Sequence, residues 1–391
     1  MKLVFTGDFS ASGIFFQKIS SEDEILDEEI LSVFREADYV NINLENPITN
    51  TSFREKKGSA LKAPLNTAGY LRERYINICT LANNHIMDCG NAGLDDTIDT
   101  LSENGIEFYG IGGHHPYLLL NRGNIRVALI ASCHREGPLW DGHNPAPFHF
   151  QIKDLERLIK EIEENDKPDY VIFSYHGGTE FNIIPEPERR RFFHRIIDLG
   201  VDIIIGHHAH VPQGIEIKDR GIIVYGLGNF CFDTPYQRKH QYTSESYFIE
   251  IDLTQNKFPS INKYHLKIDR GAGYVSLDTD SLRNDHFNDK LQVFQTSREY
   301  NTNWEKDAFR VYTGDKSTTP NKDSGDDGMK GSAPSIRQNR LMRNSINKNG
   351  FVLTMLYLMR MVTLDVTKPS RRPLLIGAVK CVLKGSARGA A

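Results

Sequence analysis

Paired cysteines are missing from this 391-residue chain. The five it has, Cys79, Cys89, Cys133, Cys231 and Cys381, are odd in number, scattered and without any CxxC spacing. That excludes a disulfide framework and a thiolate zinc knot. Also missing is an apolar run near the roughly 20 residues that a membrane-spanning helix needs; the nearest, FVLTMLYLM at 351–359, is cut by Arg360. The start, MKLVFTGD, turns polar too soon to read as a signal peptide, so a reduced, cytoplasmic protein is expected. No repeat of roughly 20 to 50 residues is visible, and the formal charge of -4 is too small to indicate a partner by itself.

What is present suits a packed domain. Hydrophobic residues make up 39% of the chain, with 21 Phe and 16 Tyr, which argues against wholesale disorder. Short runs rich in Val, Ile and Phe read as strands at 2–6, 39–44, 76–81, 126–131, 170–175, 201–205 and 222–225. Between them lie stretches of helical period at about 93–104, 153–164 and 186–199, the first and last stopped by Gly105 and Gly200. Alternation of this kind favours an α/β fold with a largely parallel sheet, and periodicity alone suggests an open, doubly wound one. After Arg270 the pattern weakens. Residues 313–334 read as a flexible linker, and 335–391 as two or three short basic helices broken at Asn349-Gly350, Pro369 and Pro373. From Lys330 onward the bases are opposed only by Asp365, so the tail carries about +11 and the rest of the chain about -15. The expected division is a main domain at 1–270, an extension and linker at 271–334, and a basic helical tail at 335–391.

The densest chemistry lies in IIIGHHAHVP, residues 203–212, where His207, His208 and His210 follow a buried-strand pattern. Imidazole is the commonest protein ligand for transition metals, and a strand end is a rigid mount. The same arrangement recurs at Asp8 in TGDFS, Glu45 in NLENP, Asn84 and His85 in LANNHIMD, and His176 in FSYHGG. In parallel sheets ligands bind beyond the carboxyl ends of the strands, so these residues are expected to converge on one metal-dependent site. Each has a plainer reading. Asp8 could be an N-cap and Glu45 a surface acid before a proline turn. Asn83–His85 could form an Asx turn with a solvated imidazole. Asp88 could orient His85 or cap the following helix. Glu180 and Arg189–Arg191 lie just past His176; the arginines read as a solvated helix face, although one could meet an anionic substrate. Asn229, in YGLGNF, reads as a tie for the His207–His210 loop, with substrate contact as the alternative.

The motifs TGD, NLENP, LANNH-MD-G--GL, HGG-E, GHHAHV and YGLGNF, in this order, resemble the CapA-type poly-γ-glutamate capsule biosynthesis family, within the calcineurin-like metallophosphoesterase superfamily. The resemblance covers about residues 1–255. It implies a two-sheet β-sandwich flanked by helices in place of the open sheet. It further implies that Asp8, Glu45, Asn84, His176, His208 and His210 hold one or two divalent ions (Mn, Fe, Zn or Mg), with His85 as proton donor. His207 or His208 could fill the first position of the Gly-His-x-His motif; His208 is preferred because it stands two residues from His210. The superfamily's first motif carries a histidine where this chain has Ser10, and its GDxxD motif is represented only by Glu45.

Three functions follow as expectations. The first is a metal-dependent hydrolase of a phosphoester or similar bond, linked to capsule or extracellular polymer synthesis. The second is a non-catalytic assembly factor for polymer synthesis or export, and the third an amide-forming or transferring role on poly-γ-glutamate. The partners expected are an anionic polymer or phosphoester, capsule-synthesis proteins, and the inner face of a membrane through the basic tail. Nucleic acid is not expected, since no recognised module is present.

Overall fold

The computed structural model describes residues 1–52, 60–112, 115–134, 146–147, 152–280 and 297–313. The chain divides into two units, Met1–Val293 and Phe294–Ala391. Of the second, the described part is one helix, α7 (Ser297–Thr313). The readings of a linker at 313–334, a basic tail at 335–391 and a specificity loop at 134–149 fall almost wholly outside the described residues.

The first unit is built on two sheets. In chain order its strands are β1 (Lys2–Phe9), β2 (Tyr39–Leu44), β3 (Ile78–Thr80), β4 (Glu107–Tyr109), β5 (Ile111–Gly112), β6 (Tyr117–Arg122), β7 (Ile125–Cys133), β8 (Ala146–Pro147), β9 (Tyr170–His176), β10 (Ile203–His207), β11 (Ile215–Lys218), β12 (Gly221–Val224), β13 (Asn229–Cys231), β14 (Glu245–Asp252), β15 (Ser260–Asp269) and β16 (Tyr274–Leu277). The first sheet runs β16-β15-β14-β1-β2-β3-β4, with β13 also paired to β1; the second runs β11-β12-β10-β9-β7-β6. Strands β1 to β4 are mutually parallel, as are β7, β9, β10 and β12. The first sheet carries antiparallel strands at its β16 edge and the second at both edges, and β5 pairs with β8 in a small separate sheet.

Strand alternation explains the layers. Leu3 and Phe5 of β1 share one buried cluster with Tyr247, Ile249 and Ile251 of β14, and with Leu129, Ile172, Ile203, Ile205 and Val224 of the second sheet. This is the core between the sheets. The opposite face, Val4, Val40, Ile42 and Leu44, packs beneath α1 (Ile14–Ser20), α2 (Glu28–Glu36), α3 (Thr67–Glu73) and α4 (Gly90–Glu103). On the far side, Phe193 of α6 (Pro187–Asp198) stacks on Tyr225, while α5 (Ile152–Asn165) buries the stripe Leu155, Ile159 and Ile162.

The open doubly wound sheet suggested by periodicity is therefore not the architecture; the two-sheet sandwich flanked by helices is. Periodicity missed the distinction because β14 and β15 are antiparallel strands with no helix between them, and they complete the first sheet through β1. The sheet also continues past Arg270, where the sequence pattern weakens: β16 pairs with β15 through Leu277.

Glycine lets the strands meet closely where function-bearing residues leave them. A Cβ at Gly206, just before His207, would lie 2.0 Å from the Tyr225 carbonyl oxygen, and one at Gly7, just before Asp8, 2.0 Å from that of Gly228. Replacing Gly206 by Ala is expected to cost roughly 3 kcal/mol in urea unfolding. Gly123→Ala, where an added Cβ meets nothing and only the positive φ is strained, should cost about 1 kcal/mol. Equal losses at the two positions would refute the close-approach argument.

Candidate metal centre

The carboxyl ends of the parallel strands bring the site together. β1 ends with register shifts around Asp8, which aim its carboxylate between the sheets. Four donors converge on that carboxylate. Asn43 Nδ2 (2.8 Å) and His207 Nδ1 (3.0 Å) meet Oδ1, while the His208 backbone N–H (3.1 Å) and His210 Nδ1 (3.3 Å) meet Oδ2. Asp8 is thus neither an N-cap nor exposed. Glu45 follows β2 and is fully buried, which overturns its reading as a surface acid. Its Oε1 lies 3.5 Å from His176 Nε2 and 3.6 Å from His210 Nε2.

His176 closes β9 in register with His207 of β10. Its Nε2 is 2.9 Å from Asn84 Oδ1 and 3.2 Å from His208 Nδ1. His208 and His210 both sit at positive φ, 81° and 56°, a left-handed conformation that costs non-glycine residues about 1 kcal/mol or more each and recurs where function demands it. Asn229 Oδ1 lies 3.0 Å from His210 Nδ1, and its own Nδ2 donates to Gln237 and to the Thr243 carbonyl. Asn229 therefore ties down the loop by holding one imidazole in orientation, and Nδ1–H of that ring leaves Nε2 facing Glu45.

The turn after β3 divides its labour. Asn83, buried, accepts from the backbone N–H groups of His85 and Ile86 and donates to the Leu44 carbonyl. The Asx-turn reading is thus right for Asn83, and the turn frees Asn84 to face His176. His85, half-buried, sets Nδ1 2.7 Å from Asp88 Oδ2, which also accepts from the Leu61 N–H at 2.7 Å. Asp88 orients His85; it caps no helix, since α4 begins at Gly90 with Cys89 at its N-cap and no side-chain cap.

Burial and charge set the protonation states. Burial would raise Asp8, but hydrogen bonds from His207 and His210, and their charge, hold it well below the ordinary carboxylate value. Burial, then the charge of His208, pushes His176 well below the usual histidine range; burial, then the charge of His210, does the same to His208. Both are neutral, so the 3.5 Å approach of His176 to Glu45 is not an ion pair. Burial also works against a proton on His210, yet the charge of Glu45, the hydrogen bond and charge of Asp8, and the charge of half-buried Glu180 push it up to about 9.

This donor set fits a divalent cation. Glu45, His208 and His210 form one group, and Asp8, Glu45 and His176 another, with all donor atoms of each within 4.8 Å of one another. Glu45 belongs to both. Mixed carboxylate, imidazole and amide oxygen suits Mn, Fe or Zn; His176 and His208 are neutral and ready to ligate, and His210 would release its proton to a cation. The structure thus gathers Asp8, Glu45, Asn84, His176, His208 and His210, with His207 on Asp8, Asn229 on His210, Asp88 on the neighbouring His85, and Glu180 close enough to act on His210.

Other participants were not singled out from the sequence. Asn43 bridges Asp8 and His176; two amides, Asn41 and Asn43, on one face of a strand with an apolar opposite face were the available signal. His134, exposed, follows β7 and donates its backbone N–H to the His176 carbonyl at 2.7 Å. The reading of Arg189–Arg191 as one solvated face is corrected. Arg189 is buried, Arg190 is paired to Glu216, and Arg191 alone faces solvent, beside Glu188.

Residues 2–234 match the profile of the family described as "Bacterial capsule synthesis protein PGA_cap". The chain is 28% identical over 250 residues to "Capsule biosynthesis protein CapA" of Bacillus anthracis, covering 61% of this chain and 60% of that one. It is 28% identical over 265 residues to "PGA biosynthesis protein CapA" of Bacillus subtilis, covering 64% and 67%. Among solved structures, a novel phosphatase from Mycoplasma pneumoniae is similar at 17% identity and a TM-score of 0.45, over 74% of this chain and 98% of that one.

Stability of the metal-free protein should peak near pH 6.5. Below that, the unfolded chain takes up protons that His176 and His208 refuse in the fold, so stability falls as pH falls. Above it, His210 keeps a proton that the unfolded chain has released, so its contribution, about 3 kcal/mol, is lost as pH rises to about 9. Urea unfolding of chelator-treated protein across this range checks the profile; a flat curve would contradict it.

Proposed function

The chain belongs to the family of bacterial capsule synthesis proteins, and we propose that it is a metal-dependent hydrolase of phosphoester or similar polar bonds, serving the synthesis of a poly-γ-glutamate-like capsular polymer. The observation that carries this reading is the pair of buried donor groups sharing Glu45, with the His85–Asp88 pair alongside. A divalent cation held by Asp8, Glu45, Asn84, His176, His208 and His210 would supply Lewis acidity and positive charge to a scissile anionic group.

The remaining work falls to the protein's own side chains. Asp88 accepts from Nδ1–H of His85 and so fixes the ring with Nε2 outward, while the Leu61 N–H anchors Asp88 in turn. A protonated His85 can then deliver its Nε2 proton to the departing oxygen and be regenerated from solvent, since the residue is half-buried. Asp8 and Asn43 hold the bases of both sheets in place while this happens.

One observation favours a second reading. Ser10, buried and with no hydrogen-bond partner for its hydroxyl among the described residues, stands where the superfamily resemblance implies a histidine. A depleted first position suits a fold retained for polymer assembly without turnover. Elemental analysis of purified protein, followed by a phosphodiester screen, separates the two. Retained Mn, Fe or Zn is expected, with His85→Ala losing roughly 10²–10⁴-fold in kcat while keeping its metal. Metal-free protein that supports normal capsule formation would sink the hydrolase reading.

In the same reading the basic segment from Lys330 onward binds acidic polymer or anionic lipid, at about 1 kcal/mol per base near a charged surface. Sedimentation with phosphatidylserine vesicles should weaken on removal of residues 335–391; unchanged binding would count against it.

A further inference from the structure

The histidines of the candidate site stand at or just beyond the end of the β9–β10 pairing, where the Phe181 N–H donates to the Ala209 carbonyl at 2.8 Å from one loop to the other. The pairing of β9 with β10 ends at His176 opposite His207. Beyond it, residues 177–186 lead to α6, and residues 208–214 lead to β11. His176 is at the root of one loop, and His208 and His210 are within the other, with His176 Nε2 and His208 Nδ1 only 3.2 Å apart. Asp8 and Asn229 hold His208 and His210 from one side, and a buried side-chain bridge holds the two loops from the other.

Arg189, in the first turn of α6, reaches between the loops. Its side chain is 3% exposed, with Nε 3.5 Å from Glu186 Oε2 as the compensating charge. Nη1 donates to the Gly177 carbonyl, the residue after His176, at 2.9 Å. Nη2 donates to Gln213 Oε1, three residues past His210. Gln213 is itself fully buried and returns the link, since its Nε2 donates to the Asn182 carbonyl at 2.6 Å. Its backbone N–H is held by the Gly226 carbonyl, and its carbonyl by the Tyr247 hydroxyl at 2.8 Å. The result is a closed ring from Arg189 to Gly177, along the loop to Asn182, across to Gln213 and back. Gly178, at φ +109°, is needed inside it, because a Cβ there would come within 2.7 Å of Arg189 Nη1 and 2.8 Å of Glu186 Oε1.

We propose that Arg189, acting through Gln213, is a positioning residue that fixes the distance between His176 and the His208–His210 pair, and so sets the affinity of the site for a divalent cation. The proposal rests on the metal-binding reading above. A planar guanidinium suits the task because it presents two N–H groups at fixed divergence, one to each loop; a lysine ammonium on its flexible stem cannot hold both acceptors in one geometry. Neither residue touches the candidate cation, so the effect is exerted wholly through ligand placement, as with other groups that support metal ligands from behind.

The test uses Co(II) as the probe, titrated into the chelator-treated full chain and read by visible absorption, with thermal unfolding in parallel. Arg189→Lys keeps the charge beside Glu186, and Gln213→Met keeps the volume while removing both of its side-chain bonds. Each is expected to fold with an unfolding temperature near the wild type, to weaken Co(II) binding roughly 10- to 100-fold, and to shift the ligand-field bands. The double variant should lose no more than the worse single one, because both changes break one bridge. A folded Arg189→Lys or Gln213→Met protein with wild-type affinity and spectrum overturns the proposal, as does full additivity in the double variant. If Arg189→Lys fails to fold, Gln213→Met decides alone. Wild-type protein that binds no Co(II) would overturn the metal reading itself, and this inference with it.

Discussion

The architecture turns on one buried carboxylate. Asp8 lies at the junction of the two sheets, and its four donors come from both: Asn43 from the first, His207 at the end of a strand of the second, and His208 and His210 from the loop beyond. Removing an ionised carboxylate from water is expensive unless it is fully hydrogen-bonded and paired. This one is both. Its cost is offset only when the two sheets, folded around separate strand sets, bring their carboxyl ends to the same point. Elsewhere the sheets are joined by the apolar core, which is tolerant of small slips; at Asp8 a slip would leave a charge unpaired. The buried polar bridge from Asn41 to the Tyr109 hydroxyl, and from Tyr109 to Ser174, adds a second directional tie between the same sheets.

The local features of the site follow from that convergence. Glycines at 7 and 206 admit neighbouring backbones where side chains would collide. Two histidines accept left-handed backbone in order to turn back toward the sheet edge. Asn43, Asn83 and Asn229 are buried amides, each of which can donate and accept at once, and each orients a group with one polarity by satisfying another behind it. None of these arrangements is economical for stability alone. They are intelligible as the support of donor atoms that must stand in fixed relation.

The sequence made the donor set legible because each member stands at the end of an apolar run, and strand ends are easy to find. Asp8, Glu45, Asn84, His176, His208 and His210 could be named from that rule, sharpened by the order of six motifs. What it concealed depends on three-dimensional return. Arg189, in a run of three arginines, looks like solvent-facing charge; only the packing of α6 against the two loops sends it inward while Arg191 stays out. Asn43 is a polar letter in a strand, and its role requires knowing that β2 lies beside β1 with Asp8 opposite Asn43. The second half of the first sheet was hidden for a related reason. β14 and β15 join β1 from the far end of the chain, and no local periodicity reports which sheet an antiparallel hairpin will extend.

The charge of the donor set narrows what it can serve. Asp8 and Glu45 contribute two formal negative charges, Asn84 none, and His176 and His208 are held neutral chiefly by burial, with the charge of neighbouring imidazoles acting in the same direction. The remaining imidazole, His210, carries a proton because the acids around it demand a positive charge. One dication in place of that proton would bring the set to neutrality; a second would leave it two units positive. A neutral centre has no electrostatic preference among substrates, whereas a positive one favours a phosphoryl or carboxylate dianion.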